Sequence, residues 1–388
     1  MARSRRVFAL AVGFASIASC RDRAPSPASP LPTVAPRPVA SETFDAPLDA
    51  PAPSATIGSP EAPGAPAQKV TAEGHAMGTH LAFAAFTTPD LDPAHVRSLF
   101  DAATAEIVRL EKLMTTWDPA SEISRINAAA GKAPVAVGPE SFLVVSEALH
   151  ASDISEGTFD ITFETLHGLW KFDEDLDPHP PSAAQVRDRL KYVGYRHVKL
   201  DPAARTVFLD DPHLKIGLGG IAKGYAVDQA SKMLREGGLR CFFVQAGGDL
   251  YTEGSKPDGS PWIAGVRDPR GPDGDYFAVM PVSDHAFSTA GDYERSYVVA
   301  GKRYHHIIDP RTGFPATASR SVTIWAPTAL LADELDDAVF ILGKDKGLAL
   351  VESIDGVGAI IVDAHGQVWT SQRLEGKVRS VHPPTDRP

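Results

Sequence analysis

Twelve of the chain's 33 prolines fall between Arg21 and Lys69, and this crowding limits what the chain can fold into more than any other feature. A proline fixes φ and donates no backbone N–H, so a helix or central strand cannot run through such a stretch. The segment has few large apolar residues and no helical or strand period. It cannot bury enough surface to offset the entropy of ordering. Residues 20–68 are therefore expected to form a disordered tether, and a chain of 388 residues, long enough for two or three domains, keeps one folded region at 69–380 and a short tail at 381–388. A hydrophobic fraction of 43% gives that region enough to build a core, and a net charge of −11 excludes a nucleic-acid polyanion as main partner. No apolar run reaches the roughly 18 residues of a membrane span.

The segment ahead of the tether carries a targeting pattern. Arg3, Arg5 and Arg6 precede an apolar run from Val7 to Ala18, the charged and hydrophobic regions of a signal peptide at 1–19. The run ends in Ile17-Ala18-Ser19-Cys20, which resembles a bacterial lipobox and makes Cys20 the expected acylated first residue. Cleavage there removes three arginines and brings the charge from −11 to −14. The other cysteine, Cys241, then has no disulfide partner in the chain. The localisation read from this pattern is the cell envelope, lipid-anchored at Cys20 and facing the periplasm or exterior. Arg21 after the cysteine favours outer-membrane sorting where such a membrane exists. A flexible tether of about 48 residues spans roughly 40 Å, enough to let an anchored domain reach proteins in the same membrane.

Apolar spacing predicts helices over Pro93–Met114, Ser141–Ser155, Ala222–Leu234 and Ala329–Leu342, the last two stopped by Gly237-Gly238 and Gly343. Short β-rich runs lie at Val198–Leu200, Cys241–Gln245, Trp262–Val266, Val322–Trp325 and Ala359–Val362. Helices mixed with strands that lack a regular βαβ beat indicate an α+β fold.

Three segments carry chemistry. The first, Gly217 to Asp228, includes Gly219, Gly220 and Lys223 at a helix start, suited to binding an anion through backbone N–H groups and a point charge. It also reads as a plain tight turn. It lacks the Lys-Ser/Thr pair of a Walker loop and the acidic residue about twenty positions on that a dinucleotide fold requires. The second runs from Gly291 to Arg295 and then from Tyr304 to Gly313, with His305, His306, Asp309 and Arg311. Adjacent histidines in a strand point to opposite faces, so one of the pair is expected to be structural and the other is a candidate base. The third places Asp333, Asp336 and Asp337 at i, i+3 and i+4 of a helix, on one face. Such a group is either a solvated acidic first turn or a site for a hard cation such as Mg²⁺.

Eight segments in a fixed order resemble the FAD:protein FMN transferase family, often called ApbE. They are His75–Thr79, Leu113–Trp117 with Ser121–Asn127, Gly157–Thr162, the glycine segment, Ala246–Asp249, Ser288–Tyr293, His305–Gly313 and Ala332-Asp333. The resemblance implies a single α+β, T-fold-like catalytic domain that cleaves FAD and transfers FMN to a Thr or Ser hydroxyl of another protein, releasing AMP. It implies FAD contacts from Met77, Trp117, Asn127, Thr158, Phe159, Asp160, Gly217, Lys223 and Ile308. It further implies Mg²⁺ at the Gly220 carbonyl, Asp333, Asp336 and Asp337, and a catalytic role for His306 beside Asp333 and Lys223. The acceptor is expected to be an exported or membrane flavoprotein, such as a redox-pump subunit.

Two positions depart from the family pattern. Gly217 stands where an aspartate contacting FAD is usual, so a ligand contact is expected to weaken. Asp337 stands where threonine is usual, which adds one more oxygen ligand. Hydrolysis of FAD to FMN and AMP, and flavin binding without chemistry, are the alternative readings.

Overall fold

The computed structural model describes residues 66–172 and 176–387. The segments expected to be a signal peptide (1–19), an acylated Cys20 and a tether as far as residue 65 lie outside the described residues. Among the described residues there are six α-helices: α1 (Pro93–Met114), α2 (Glu122–Ala128), α3 (Pro139–Ile154), α4 (Ala183–Leu190), α5 (Ala222–Glu236) and α6 (Ala329–Glu352). No described helix is long and apolar enough to cross a membrane.

An eight-stranded sheet organises the fold. Its spatial order is Lys69–Ala76, Thr79–Phe86, Phe242–Ala246, Asp249–Glu253, His285–Gly291, Ser319–Ala326, Gly358–Asp363 and Val368–Thr370, and every pairing is antiparallel. With helices packed on this sheet the class is α+β. The first hairpin was not foreseen. It closes through Met77 and Gly78, both at positive φ (52° and 67°), the turn whose twist matches that of the strands.

Both faces of the sheet are covered. On one, Phe100, Ile107 and Leu110 of α1, Ala226 and Leu234 of α5, and Leu335, Val339 and Phe340 of α6 join inward residues of the strands in the main core. On the other, Val266, Phe277, Met280 and Val282 of a three-stranded sheet meet Phe287, Ile360 and Val362. All six residues of Gly358–Asp363 are buried in consequence, as expected of a strand covered on both faces.

The expected helices lie within a few residues of the observed ones, with one extension. Gly343, at φ 72° and ψ −178°, kinks α6 instead of ending it, and the chain turns helical again as far as Glu352. Beyond Ser380 the tail stays pinned for several residues. Val381 N–H donates to the Phe277 carbonyl, and the Thr385 amide and hydroxyl donate to Asp268 Oδ2 at 2.8 and 2.7 Å.

Candidate active site at the junction of two helices

The N-termini of α5 and α6 cap each other. The first turn of α5 has no side-chain cap of its own, and Asp333 of α6 accepts from Gly224 N–H at 2.9 Å. In return, Asp228 of α5 accepts from the N–H groups of Ala329 and Leu330 at 2.8 and 2.9 Å. Each carboxylate satisfies donors that a helix start leaves open and sits at the positive end of the other helix's dipole. The exchange requires near contact. A Cβ added at Gly224 would stand 2.3 Å from the Ala329 carbonyl oxygen and 2.7 Å from Asp333 Cβ.

This crossing places Lys223 among acids. Its Nζ lies 2.9 Å from Asp249 Oδ2 and 3.1 Å from Asp333 Oδ1. Asp249, Asp333 and Asp336 are all buried, with ligand atoms within 4.8 Å of one another. Asp337 is set slightly apart, with Oδ2 3.1 Å from where a Cβ on Gly220 would be. Asp249 was absent from the expected site, although it ends the Ala-Gly-Gly-Asp segment of the resemblance. It enters from a strand and so could not be found by helical spacing.

Four carboxylates against one lysine set the protonation. Burial opposes the charge on Lys223, but Asp249, Asp333 and Asp336 outweigh it and hold its pKa well above the ordinary value. Burial, and then Asp249, push Asp333 up to about 7. Burial raises Asp337 to about 6. Asp336 is pushed well up by burial and by Asp337, Asp333 and Asp249. Ser288 Oγ is 2.6 Å from both Asp249 Oδ1 and Asp336 Oδ2, yet a hydroxyl has one proton to give. The second short contact therefore needs a carboxyl proton, and Asp336 is the acid placed to hold it. This concentration of oxygen donors and unbalanced negative charge fits a hard divalent cation.

The two histidines sit in different settings, and only the first lies within a strand. His305 is buried, its Nε2 2.9 Å from the Ala316 carbonyl and its ring edge-on to Phe340. His306 lies just past the strand Lys302–His305, its backbone N–H donating to the Arg295 carbonyl. Burial, then His305, Arg295 and Lys223, push its imidazole down to about 3, so it is neutral at physiological pH. Its buried Nδ1 has no hydrogen-bond partner among the described residues. The Met77-Gly78 turn lies close by, with Arg295 Nη2 3.8 Å from a Cβ built on Gly78. Ile308 is half-buried in a two-residue strand paired with Phe314–Pro315.

Several of the other expected FAD contacts fix the surrounding backbone through their polar atoms. Asn127 clips the backbone of Ile216 twice, Nδ2 donating to its carbonyl at 2.9 Å and Oδ1 accepting from its N–H at 2.8 Å. Asp160 starts the 3₁₀ turn Ile161–Leu166: Oδ1 accepts from the Thr162 amide and hydroxyl, and Oδ2 from Tyr195 N–H. Thr158 donates its hydroxyl to the Ser155 carbonyl. Phe159 packs against Gly220, its ring 3.3 Å from where a Cβ would be. Trp117 is 77% exposed and offers an open aromatic surface edge-on to His167.

The ApbE family profile matches residues 77–361. A Klebsiella pneumoniae FAD:protein FMN transferase is 30% identical over 320 residues, covering 80% of this chain and 90% of its own. The Treponema pallidum protein of the same name is 32% identical over 302 residues, covering 74% and 83%. Among solved structures, the ApbE protein of Thermotoga maritima superimposes with a TM-score of 0.73 at 33% identity, over 81% of this chain and 100% of its own. The flavin transferase ApbE of Vibrio cholerae gives 0.70 at 27%, over 80% and 99%.

Proposed function

The chain belongs to the ApbE family and is an FAD:protein FMN transferase, and from that premise we propose that Lys223, His306 and the buried aspartates carry the transfer with Mg²⁺. One observation supports this reading above the others. A lysine is held between two buried aspartates where a glycine segment meets two helix starts. Phosphoryl-type transfer needs positioning and charge neutralisation more than covalent chemistry, and this junction offers both.

The residues that would hold Mg²⁺ are Asp333, Asp336 and Asp249, with Asp337 and the Gly220 carbonyl at the margin. When bound, the ion supplies charge neutralisation for the pyrophosphate. Lys223 keeps its proton throughout and gives the phosphates a fixed positive partner. Neutral His306 has a ring nitrogen able to accept a proton, and negative phosphate oxygens beside it make it more basic. It takes the proton of a Thr or Ser hydroxyl as that oxygen bonds to the FMN phosphorus, while the bond from phosphorus to AMP breaks and AMP leaves with the electron pair. Trp117 and Phe159 offer ring surface to FAD, with Met77, Asn127, Thr158, Asp160, Gly217 and Ile308 around it.

The acceptor is an exported or membrane flavoprotein, such as a redox-pump subunit, reached from a lipid anchor at Cys20. The test is incubation of the full-length chain with FAD, Mg²⁺ and a peptide bearing an Asp-led Ser/Thr-Gly/Ala-Ala-Thr motif. A covalent FMN adduct by mass together with AMP is the expected result, abolished by EDTA. Free FMN without adduct would replace transfer with hydrolysis, and unchanged FAD would overturn the chemistry altogether.

A further inference from the structure

Gly217 leaves a space that another residue fills. A Cβ built there would lie 2.7 Å from Glu164 Oε2, 3.2 Å from Glu164 Cβ and 3.3 Å from its Cδ. The Glu164 carboxylate thus occupies the volume in which a side chain at 217 would begin, and the two cannot coexist unmoved. Sequence reasoning missed Glu164, since nothing in its neighbourhood shows a period or motif pointing at Gly217.

Its placement is firmly determined. Glu164 sits in the 3₁₀ turn Ile161–Leu166, which is latched to the run Lys215–Gly217. Gly217 N–H donates to the Ile161 carbonyl at 2.9 Å. Thr165 Oγ1 accepts from Lys215 N–H at 3.0 Å and donates to the Lys215 carbonyl at 3.2 Å. Asn127 holds Ile216 from the other side.

Within this latch the carboxylate is poorly satisfied. Its side chain is only 13% exposed, and the nearest partner is His167 Nδ1, 3.6 Å from Oε1, beyond hydrogen-bond reach. The carboxylate is half-buried rather than sealed, and an ionised carboxylate has about four lone-pair sites to offer the donors of a ligand. His167 also meets exposed Trp117 edge to face at 5.4 Å between ring centroids, so one imidazole ring links the carboxylate to an open aromatic surface.

We propose that Glu164 is a substrate-binding residue, its carboxylate accepting hydrogen bonds from hydroxyl or amino groups of FAD in the space that Gly217 leaves open. The inference rests on the flavin-transfer reading of the site. It revises the expectation that glycine at 217 removes a carboxylate from the cleft: the carboxylate arrives from a different turn. Burial pushes Glu164 up to about 7, against the pull of Lys215. Lys215 is the group whose charge acts on it, the His167 ring stands 3.6 Å away, and Arg189 of α4 donates to the carbonyls of Thr165 and His167.

The test uses the full-length chain and two readouts, FAD binding by flavin fluorescence and steady-state transfer. Glu164→Gln should raise the FAD dissociation constant and KM roughly tenfold, the factor carried by a hydrogen bond to a charged group, with kcat within about twofold. Wild-type affinity should rise as pH passes through about 7 and the carboxylate ionises, and that step should vanish in Glu164→Gln. Gly217→Asp alone should clash with Glu164 and lose both stability and FAD affinity. The exchange Glu164→Gly with Gly217→Asp should recover affinity to within about threefold of wild type. Unchanged affinity in Glu164→Gln, or a double variant no better than Gly217→Asp, would overturn the inference. Failure of transfer with FAD binding and its Glu164 dependence intact would instead defeat the proposed reaction and leave this contact standing. A wild-type chain that binds no FAD would overturn both.

Discussion

Replacing Gly224 with alanine sets two physical effects against each other, and the structure decides between them. Gly224 lies in the first turn of α5, where alanine is the better helix former by about 1 kcal/mol. Propensity alone therefore predicts a more stable protein. The added Cβ would stand 2.3 Å from the Ala329 carbonyl oxygen and 2.7 Å from Asp333 Cβ, so the helices must separate by roughly 1 Å to reach ordinary contact, about 3.5 Å. The obstacle is backbone, which no rotamer change relieves. Overpacking costs about 1–3 kcal/mol, and separation also breaks the 2.9 Å bond from Gly224 N–H to Asp333, about 1.5–3 kcal/mol for a charged acceptor. After the propensity gain the net loss is roughly 3 kcal/mol, a urea midpoint lower by about 1 M at a slope near 3 kcal/mol/M. Transfer should fall about 100-fold, because Asp333 moves on the scale at which misplacement costs that factor. Gly219→Ala is the control: a Cβ there has no atom within 4 Å. Its urea midpoint should match wild type, while KM for FAD rises if the backbone at Gly219 approaches the phosphates. Equal or greater stability in Gly224→Ala, or the same stability loss in both variants, would refute the argument.

Lys223→Met leaves Asp249 and Asp333 buried without their cation, a loss of about 3–5 kcal/mol. In EDTA the variant should melt roughly 10 °C below wild type, and Mg²⁺ should narrow the gap by binding the folded state; identical melting in EDTA would count against a shared charge balance. Asp228 provides a pH test. Burial raises it from 3.8 to about 6, so between those values the folded chain holds more protons than the unfolded one, and its contribution to stability is lost as pH rises through that window. The full swing is about 3 kcal/mol, and stability measured at pH 3.5 and 7 should drop by that much less in Asp228→Asn.

The sequence disclosed what is periodic and obscured what is brought together by contact. Helices α1, α3 and α5 were legible because each buries one face, and the Ile-rich run within Gly358–Asp363 was legible as a strand. The hairpin Lys69–Phe86 escaped because its first strand alternates small residues with polar ones, and its Met77-Gly78 turn is not one of the common hairpin dipeptides. Within the site, Asp333, Asp336 and Asp337 were readable from helical spacing. Asp249 and Ser288 were not, since they lie on strands whose place beside α6 is fixed by sheet order. Asp228 looked like one more residue of the glycine segment, and only the crossing of α5 and α6 makes it the cap of α6.

The same reasoning changes how a departure from a family pattern should be judged. Position by position, Gly217 is a missing carboxylate and Asp337 an extra one. In the folded chain, Glu164 stands where a side chain at 217 would begin, and Asp337 packs against Gly220 at the border of a cluster that one lysine cannot neutralise. Glycine at 217 is thus the condition for Glu164 to take up that volume, which makes the two positions a single unit. An exchange at either alone should cost more than an exchange at both, because the energy resides in the shared volume and not in the identity of one residue. For Asp337 the coupled partner is the cluster's total charge. Asp337→Thr removes one half-buried negative charge beside Gly220, so carboxyl pKa values should fall toward ordinary ones, and the metal-free chain should gain thermal stability while losing affinity for divalent cations. Melting curves in EDTA and a Mg²⁺ titration of the same variant measure the two effects separately. A variant that loses stability in EDTA would show that Asp337 holds the glycine segment by contact and not by charge.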